Sequence, residues 1–262
     1  MTIEVTSEGE THSPSFDIES ALAEMDERGY CILPNVISTE KSDKAREILQ
    51  GLLATEIDDQ AVERKHQRVG GIAHKHPLFL ELLAHPLIIA LWKRYLGEDI
   101  ICSTWTANTL YPGYDEIAWH ADYPYWSLIP PWPTGNFAGQ TLWLLDDFTE
   151  ENGATGVVPF SHRKGHPPEQ PTNQWREDGE LLVGPRGSAV IGHGAWWHTS
   201  RPNRTDQPRS CLLGMYLMPW FIPQEDMRSQ LTRVVNPSSL VTQLMCGNQH
   251  IPKVIGLSLI HI

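Results

Sequence analysis

Paired cysteines, long apolar runs and an excess of positive charge are all missing from this chain. The four cysteines, Cys31, Cys102, Cys211 and Cys246, are dispersed and form no C-x-x-C pair. No basic-then-apolar signal segment precedes them, since the chain begins "MTIEVTSEGETHSPS". The expected state is four reduced, mostly buried thiols in a cytoplasmic protein. No apolar run approaches the roughly 20 residues needed to span a bilayer. The formal net charge of −12 argues against partners gripped through phosphate, so neither nucleic acid nor a membrane surface is expected. An anionic small molecule in a locally basic pocket stays admissible.

What is present fits a soluble globular protein: 262 residues, 40% hydrophobic and 20% charged. That length suits one large domain or at most two small ones, and it buries a sizeable core without staples. No internal repeat or low-complexity stretch interrupts it. Residues 1–15 read as a disordered tail. Ile18, Leu22 and Met25 fall at helical spacing before Gly29. "YCILPNVI" is an extended apolar run, and "STEKSDKAREILQGLLATEI" predicts a helix capped by Ser38 or Thr39. "PLFLELLAHPLIIALWKRYLG" predicts two helical segments parted at His85–Pro86 and ending at Gly97.

Beyond Asp99 short apolar runs alternate with Gly, Pro and Asn, as in "ICSTWTANTLYPG", "GQTLWLLDD", "GSAVIGHG" and "SCLLGMYLMPWF". This pattern indicates an all-β barrel or sandwich. The overall expectation is α+β, with helices over about 16–98, a barrel over about 99–221 and a C-terminal extension over 222–256, all in one domain over 16–256. The last six residues, "LSLIHI", continue no pattern. They read as a translation of the transposase-end adapter CTGTCTCTTATACACATC, so residues 257–262 carry no functional weight.

In "IAWHADYPYW", His120 and Asp122 are separated by one residue. In an extended strand they share a face. An imidazole and a carboxylate side by side are costly to bury unpaired, and a divalent cation resolves that cost. Non-haem iron oxygenases use two histidines and one carboxylate in this way. Alone, H-x-D is a weak signal that a polar pair on a surface strand also explains. The third ligand has two candidates in "GSAVIGHGAWWHTSRPN", His193 and His198. In one strand these face opposite ways; His193 sits between glycines that read as a turn, which favours His198. "HKH" over His74–His76 has the same spacing but lies before a helix with no nearby carboxylate, and reads as a solvated turn.

Three segments carry a wider likeness. "WHADYPYW", "LWLLDDFTEENGATGVVPFSHRKG" and "WWHTSRPNRTDQPR" resemble, in order and spacing, motifs of the phytanoyl-CoA dioxygenase family, and "ALAEMDERGYCILPNVIS" resembles that family's N-terminal start. The resemblance spans roughly residues 16–220. It implies a double-stranded β-helix, that is, a jelly roll or cupin-like barrel, using Fe(II), 2-oxoglutarate and O2. It matches His120, Asp122 and His198 to the iron ligands and Arg209 to the arginine holding the far carboxylate of 2-oxoglutarate. A planar guanidinium suits that role through two parallel hydrogen bonds. Ser200, Thr109 and Asn108 are secondary candidates for contacts to 2-oxoglutarate, the last two with register uncertain by one residue. Trp143 could pack against 2-oxoglutarate or fill the barrel, and filling is the expectation. Phe160 departs from the family's usual glycine at that position, which bears on loop shape. An intact Asp122 implies hydroxylation, where related halogenases carry a small residue.

The expected activity is hydroxylation of an unactivated C–H bond of a small molecule with release of succinate and CO2. Two rivals are a cupin-like hydrolase or isomerase without 2-oxoglutarate, against which Arg209 discriminates, and a non-catalytic barrel. Tyr114, Tyr123, Tyr125, Trp126, Trp132 and Trp197 crowd the metal segments as core or pocket wall. The long Pro- and aromatic-rich loop "YPYWSLIPPWPTGNFAGQ" is the expected substrate-facing element.

Overall fold

The computed structural model describes residues 2–4, 15–57 and 59–247, so the suspected adapter residues 257–262 lie outside it. In the expected tail, strand β1 (Thr2–Glu4) pairs antiparallel with β2 (Ser15–Asp17), which differs from a wholly disordered segment. The pairing partner is distant in sequence, and the polar composition between carries no sign of it.

Helix α1 (Ile18–Arg28) is capped by Asp17, whose carboxylate accepts from the Glu19 amide, and it closes on Gly29 in the left-handed region. Strand β3 (Tyr30–Leu33) follows, then α2 (Thr39–Thr55), whose cap is Ser38, accepting from the Lys41 amide. Helix α3 (Asp59–Arg64) leads into β4 (His66–Val69), a strand inside the stretch expected to be helical. His76 of the "HKH" stretch caps α4 (Pro77–Leu83) by accepting from the Leu78 amide, and α5 (Pro86–Leu96) starts at the expected proline.

The barrel strands are β5 (Ile101–Leu110), β6 (Ala138–Leu144), β7 (Gly156–Val158), β8 (Glu180–Leu181), β9 (Ala189–His193), β10 (Trp197–Thr199) and β11 (Arg209–Leu217). They form a six-stranded sheet in the order β3-β9-β6-β11-β5-β4 and a three-stranded sheet β10-β7-β8. Every pairing is antiparallel. Short helices α6 (Met227–Leu231) and α7 (Ser239–Cys246) follow the barrel. The architecture is the α+β jelly roll with flanking helices.

Side-chain alternation divides the large sheet into two faces. Trp105, Ala107, Trp143, Leu212 and Tyr216 pack outward with α1, α2, α4 and α5 residues such as Leu49, Phe79 and Trp92 in one core. Trp143 is fully buried there, on the helix-facing side of β6 and not inside the barrel as expected, because its neighbours Gln140 and Leu142 take the inward parity. Trp92 lies flat against β6, where Gly139 presents bare backbone; a Cβ added at Gly139 would sit 2.0 Å from the Trp92 ring. The Trp92 indole N–H donates to Thr141 Oγ1 at 2.8 Å, so the closest helix–sheet contact is polar-satisfied as well. The opposite residues, Thr104, Thr106, Asn108, Gln140, Arg209, Cys211 and Met215, line an inner cavity of about 200 Å³.

Candidate metal centre

"EIAWHAD" does not form a regular strand. A single antiparallel bridge joins His120 to His198. Two backbone hydrogen bonds make it, His120 N–H to His198 C=O (3.0 Å) and His198 N–H to His120 C=O (2.9 Å). The Ala118 amide adds a bond to Thr199 Oγ1 at 2.8 Å. The H-x-D segment is thus stitched to the edge of the small sheet at the residues whose side chains carry the chemistry.

His120, Asp122 and His198 each offer one donor atom within 4.8 Å of the others, the one such cluster among the described residues. His120 Nε2 lies 3.7 Å from Asp122 Oδ1, and His198 Nε2 lies 3.5 Å from Asp122 Oδ2. His120 Nδ1 donates to the Ala118 carbonyl at 2.7 Å, leaving Nε2 as the free lone pair. His198 Nδ1 faces the Trp196 carbonyl at 3.4 Å in the same sense. Metal-bound histidines are held in this way, the second ring nitrogen donating to a carbonyl. Burial pushes the His198 imidazole down to about 4, so it is neutral at ordinary pH. Asp122 Oδ2 is buried without a hydrogen-bond partner. An orphaned carboxylate oxygen against two imidazole lone pairs is a donor set that fits a divalent cation.

Arg209, at the start of β11, is only 1% exposed. Its Nη1 reaches Cys211 Sγ and its Nη2 the Gly153 carbonyl, while Nε has no partner. No carboxylate pairs with it among the described residues. A buried guanidinium without a counter-ion costs several kcal/mol, roughly, unless an anion joins it. Its position in the cavity wall fits an anionic ligand such as the far carboxylate of 2-oxoglutarate.

The secondary candidates separate by register. Arg209 pairs with Leu110, and Cys211 with Asn108, across β11 and β5. Asn108 therefore shares the cavity face and accepts from His66 Nε2. Thr109 does not: its hydroxyl bonds Ser210 Oγ at 2.8 Å on the outer face, because adjacent strand residues point oppositely. Ser200 lines the cavity beside Thr199. His193 ends β9 on a different side of the barrel, where its Nδ1 accepts from the Ala195 amide and its ring meets Tyr125 and His162. Phe160 adopts a left-handed backbone, φ 63°, so a glycine-type turn is kept with a bulkier residue in it.

Among the aromatics, Tyr114, Tyr125, Trp132 and Trp197 are buried, whereas Trp126 is exposed and lines the cavity mouth. Residues that sequence reasoning missed are Arg68, Gln140 and Gln224, all lining the cavity. The one available signal for Arg68 was the short extended "HQRV" between helices.

The jelly roll, the His/Asp/His cluster and the unpaired arginine together define the class of Fe(II)- and 2-oxoglutarate-dependent oxygenases. The phytanoyl-CoA dioxygenase family model matches residues 25–211, and the chain belongs to that family. It is similar to dioxygenase af480 of Aspergillus fumigatus, 27% identical over 84% of this chain and 73% of the relative. It also resembles the 1-deoxypentalenic acid 11-beta-hydroxylase of Streptomyces arenae, 26% identical over 78% of this chain and 81% of the other. Among solved structures, HygX from Streptomyces hygroscopicus with nickel and 2-oxoglutarate bound superposes with a TM-score of 0.65 at 16% identity, covering 78% of this chain and 88% of HygX. The likeness to HygX speaks for the fold.

Proposed function

We propose that His120, Asp122 and His198 hold the Fe(II), that Arg209 grips the far carboxylate of 2-oxoglutarate, and that a small-molecule substrate is hydroxylated above them. The observation that carries this is the conjunction of an orphaned Asp122 oxygen and an unpaired, buried Arg209 in one cavity. Held by these three residues, iron would supply the oxidising chemistry with O2 as oxidant and 2-oxoglutarate as cosubstrate, succinate and CO2 being released. The chain's own part is positional. The Ala118 carbonyl fixes the His120 tautomer, and burial keeps the His198 lone pair free of a proton. Arg209 orients one end of the cosubstrate, with Asn108 and Ser200 as flanking polar contacts. Trp126 covers the mouth and limits water. Four free thiols, three of them buried, support a reducing, cytoplasmic setting. No helix among the described residues is long and apolar enough to cross a membrane.

Anaerobic titration with Fe(II) and 2-oxoglutarate is the test. The metal-to-cosubstrate charge-transfer band is expected in the wild type and absent in Asp122→Ala. A wild-type protein that binds the metal yet shows no band would favour a metal enzyme without 2-oxoglutarate. Succinate release across a panel of small molecules then reports coupled turnover.

A further inference from the structure

Arg68 is the cavity's second arginine, and the cosubstrate reading leaves it unassigned. It lies on β4 opposite Asn108 of β5, which fixes its side chain on the cavity face. No hydrogen bond or ion pair holds it among the described residues, in contrast to Arg46 or Arg176 elsewhere on the surface. Asp122 is the one acidic residue in the cavity wall. On a chain of net charge −12, the cavity and its rim carry a local excess of positive charge, Arg209 buried and Arg68 exposed at the edge.

The formal charges can be followed through loading, with both ligand histidines neutral as metal binding requires. Arg68 and Arg209 contribute two positive charges and Asp122 one negative. A divalent ion adds two more, and the 2-oxoglutarate dianion removes two. One positive charge is left over, and Arg209 is already committed. Beside Arg68 the wall carries apolar groups, Trp126, Leu142, Leu213 and Met215, among uncommitted polar ones such as Thr106, Gln140 and Gln224.

Building on the cosubstrate reading above, we propose that Arg68 anchors a carboxylate of the organic substrate, so that the enzyme acts on small monocarboxylic acids. A single residual charge matches a carboxylate better than a doubly charged phosphate monoester. A planar guanidinium holds a carboxylate through two parallel hydrogen bonds. The mixed apolar and polar wall takes the remainder.

The test uses the full chain loaded with Ni(II) and 2-oxoglutarate, which binds without turnover. It is titrated calorimetrically with aliphatic and alicyclic monocarboxylic acids, each beside its methyl ester and primary amide. Wild type is expected to bind at least one acid about tenfold or more tighter than its amide, the scale of a charge-assisted pair. Arg68→Gln is expected to erase that preference while 2-oxoglutarate affinity stays within about twofold, and Arg68→Lys to restore part of it. With iron and O2, Arg68→Gln should raise KM for the best acid and leave kcat nearly unchanged. No acid outbinding its amide would overturn the proposal. So would an Arg68→Gln protein that loses 2-oxoglutarate instead of the acid. A wild-type protein unable to bind 2-oxoglutarate at all overturns the parent reading and this one with it, and is distinguishable because the cosubstrate titration precedes the acids.

Discussion

Two polar recesses lie back to back on the large sheet, one residue apart along its strands. Asn108 and Arg209 face the inner cavity of about 200 Å³, while their neighbours Thr109 and Ser210 face an outer groove of about 720 Å³. In the larger groove both arginines are ion-paired. Arg46 pairs with Asp146 at 2.7 Å and Asp43 at 2.8 Å, and Arg186 pairs with Asp43 at 3.1 Å and Asp147 at 3.5 Å. Asp146 also accepts from the Ser210 amide at 2.7 Å. In the smaller cavity Arg68 and Arg209 have no carboxylate, and Asp122 Oδ2 has no partner. Polar groups left incomplete by the protein, rather than the size of a recess, mark where a ligand completes the structure.

The strongest way to break this contrast is Arg209→Met. Loss of two charge-assisted bonds is expected to weaken 2-oxoglutarate by about a hundredfold or more. Removing a buried unpaired charge should leave the thermal midpoint of the unliganded protein unchanged or raised. Anaerobic titration and thermal denaturation read the two separately; a fall in both would make Arg209 a structural residue.

A finer cut uses neighbours. Asn108→Val is expected to lower kcat/KM about tenfold, since on the proposed reading it removes a cavity polar group flanking the cosubstrate. Thr109→Val should leave kcat/KM alone and cost roughly 1 kcal/mol of stability through the lost Ser210 bond. Equal kinetic effects would abolish the distinction between the two faces.

On the outer face, Asp146→Asn is expected to cost about 1–2 kcal/mol in denaturant unfolding, because it weakens two bonds at once. Its 2-oxoglutarate affinity should match wild type within about twofold, and a larger change would mean the recesses are coupled.

The last contrast concerns pH. His198 in the cavity and His85 on the helical side are both pushed down to about 4 by burial. His85 meets the Trp143 ring edge-on and its Nδ1 has no partner. A base whose folded pKa lies below its unfolded value stabilises the fold fully above pH 6.5 and loses that contribution as pH falls toward 4. His85→Phe should therefore flatten the acid limb of stability between those values. An unchanged slope would show that other groups set it.

Much of the site was readable because its signals are local or motif-borne. His120 and Asp122 are two residues apart, and His198 and Arg209 sit in a segment whose spacing resembles one family. Helix ends at Ser38, Gly29 and Pro86 follow from capping and backbone chemistry that a few residues contain. Arg68 is not legible in the sequence because β4 is a four-residue edge strand whose meaning comes from pairing with β5. Thr109 and Asn108 are equivalent in the sequence because inward and outward residues differ by one place, and only the partner strand fixes the parity. His193 and His198 share one sequence segment, but the turn at Gly194–Ala195 puts them on β9 and β10 in different sheets.

By itself, then, the sequence determined the candidate ligand types, their order and several helix ends, since residue chemistry, short spacings and motif order decide those. Tertiary structure decided which face each side chain occupies, that the H-x-D segment is pinned by one bridge to His198, and that two arginines share a cavity with one carboxylate. Those outcomes depend on long-range strand register and on the burial it imposes, and a charge becomes an unsatisfied charge only once the surrounding chain has removed its water.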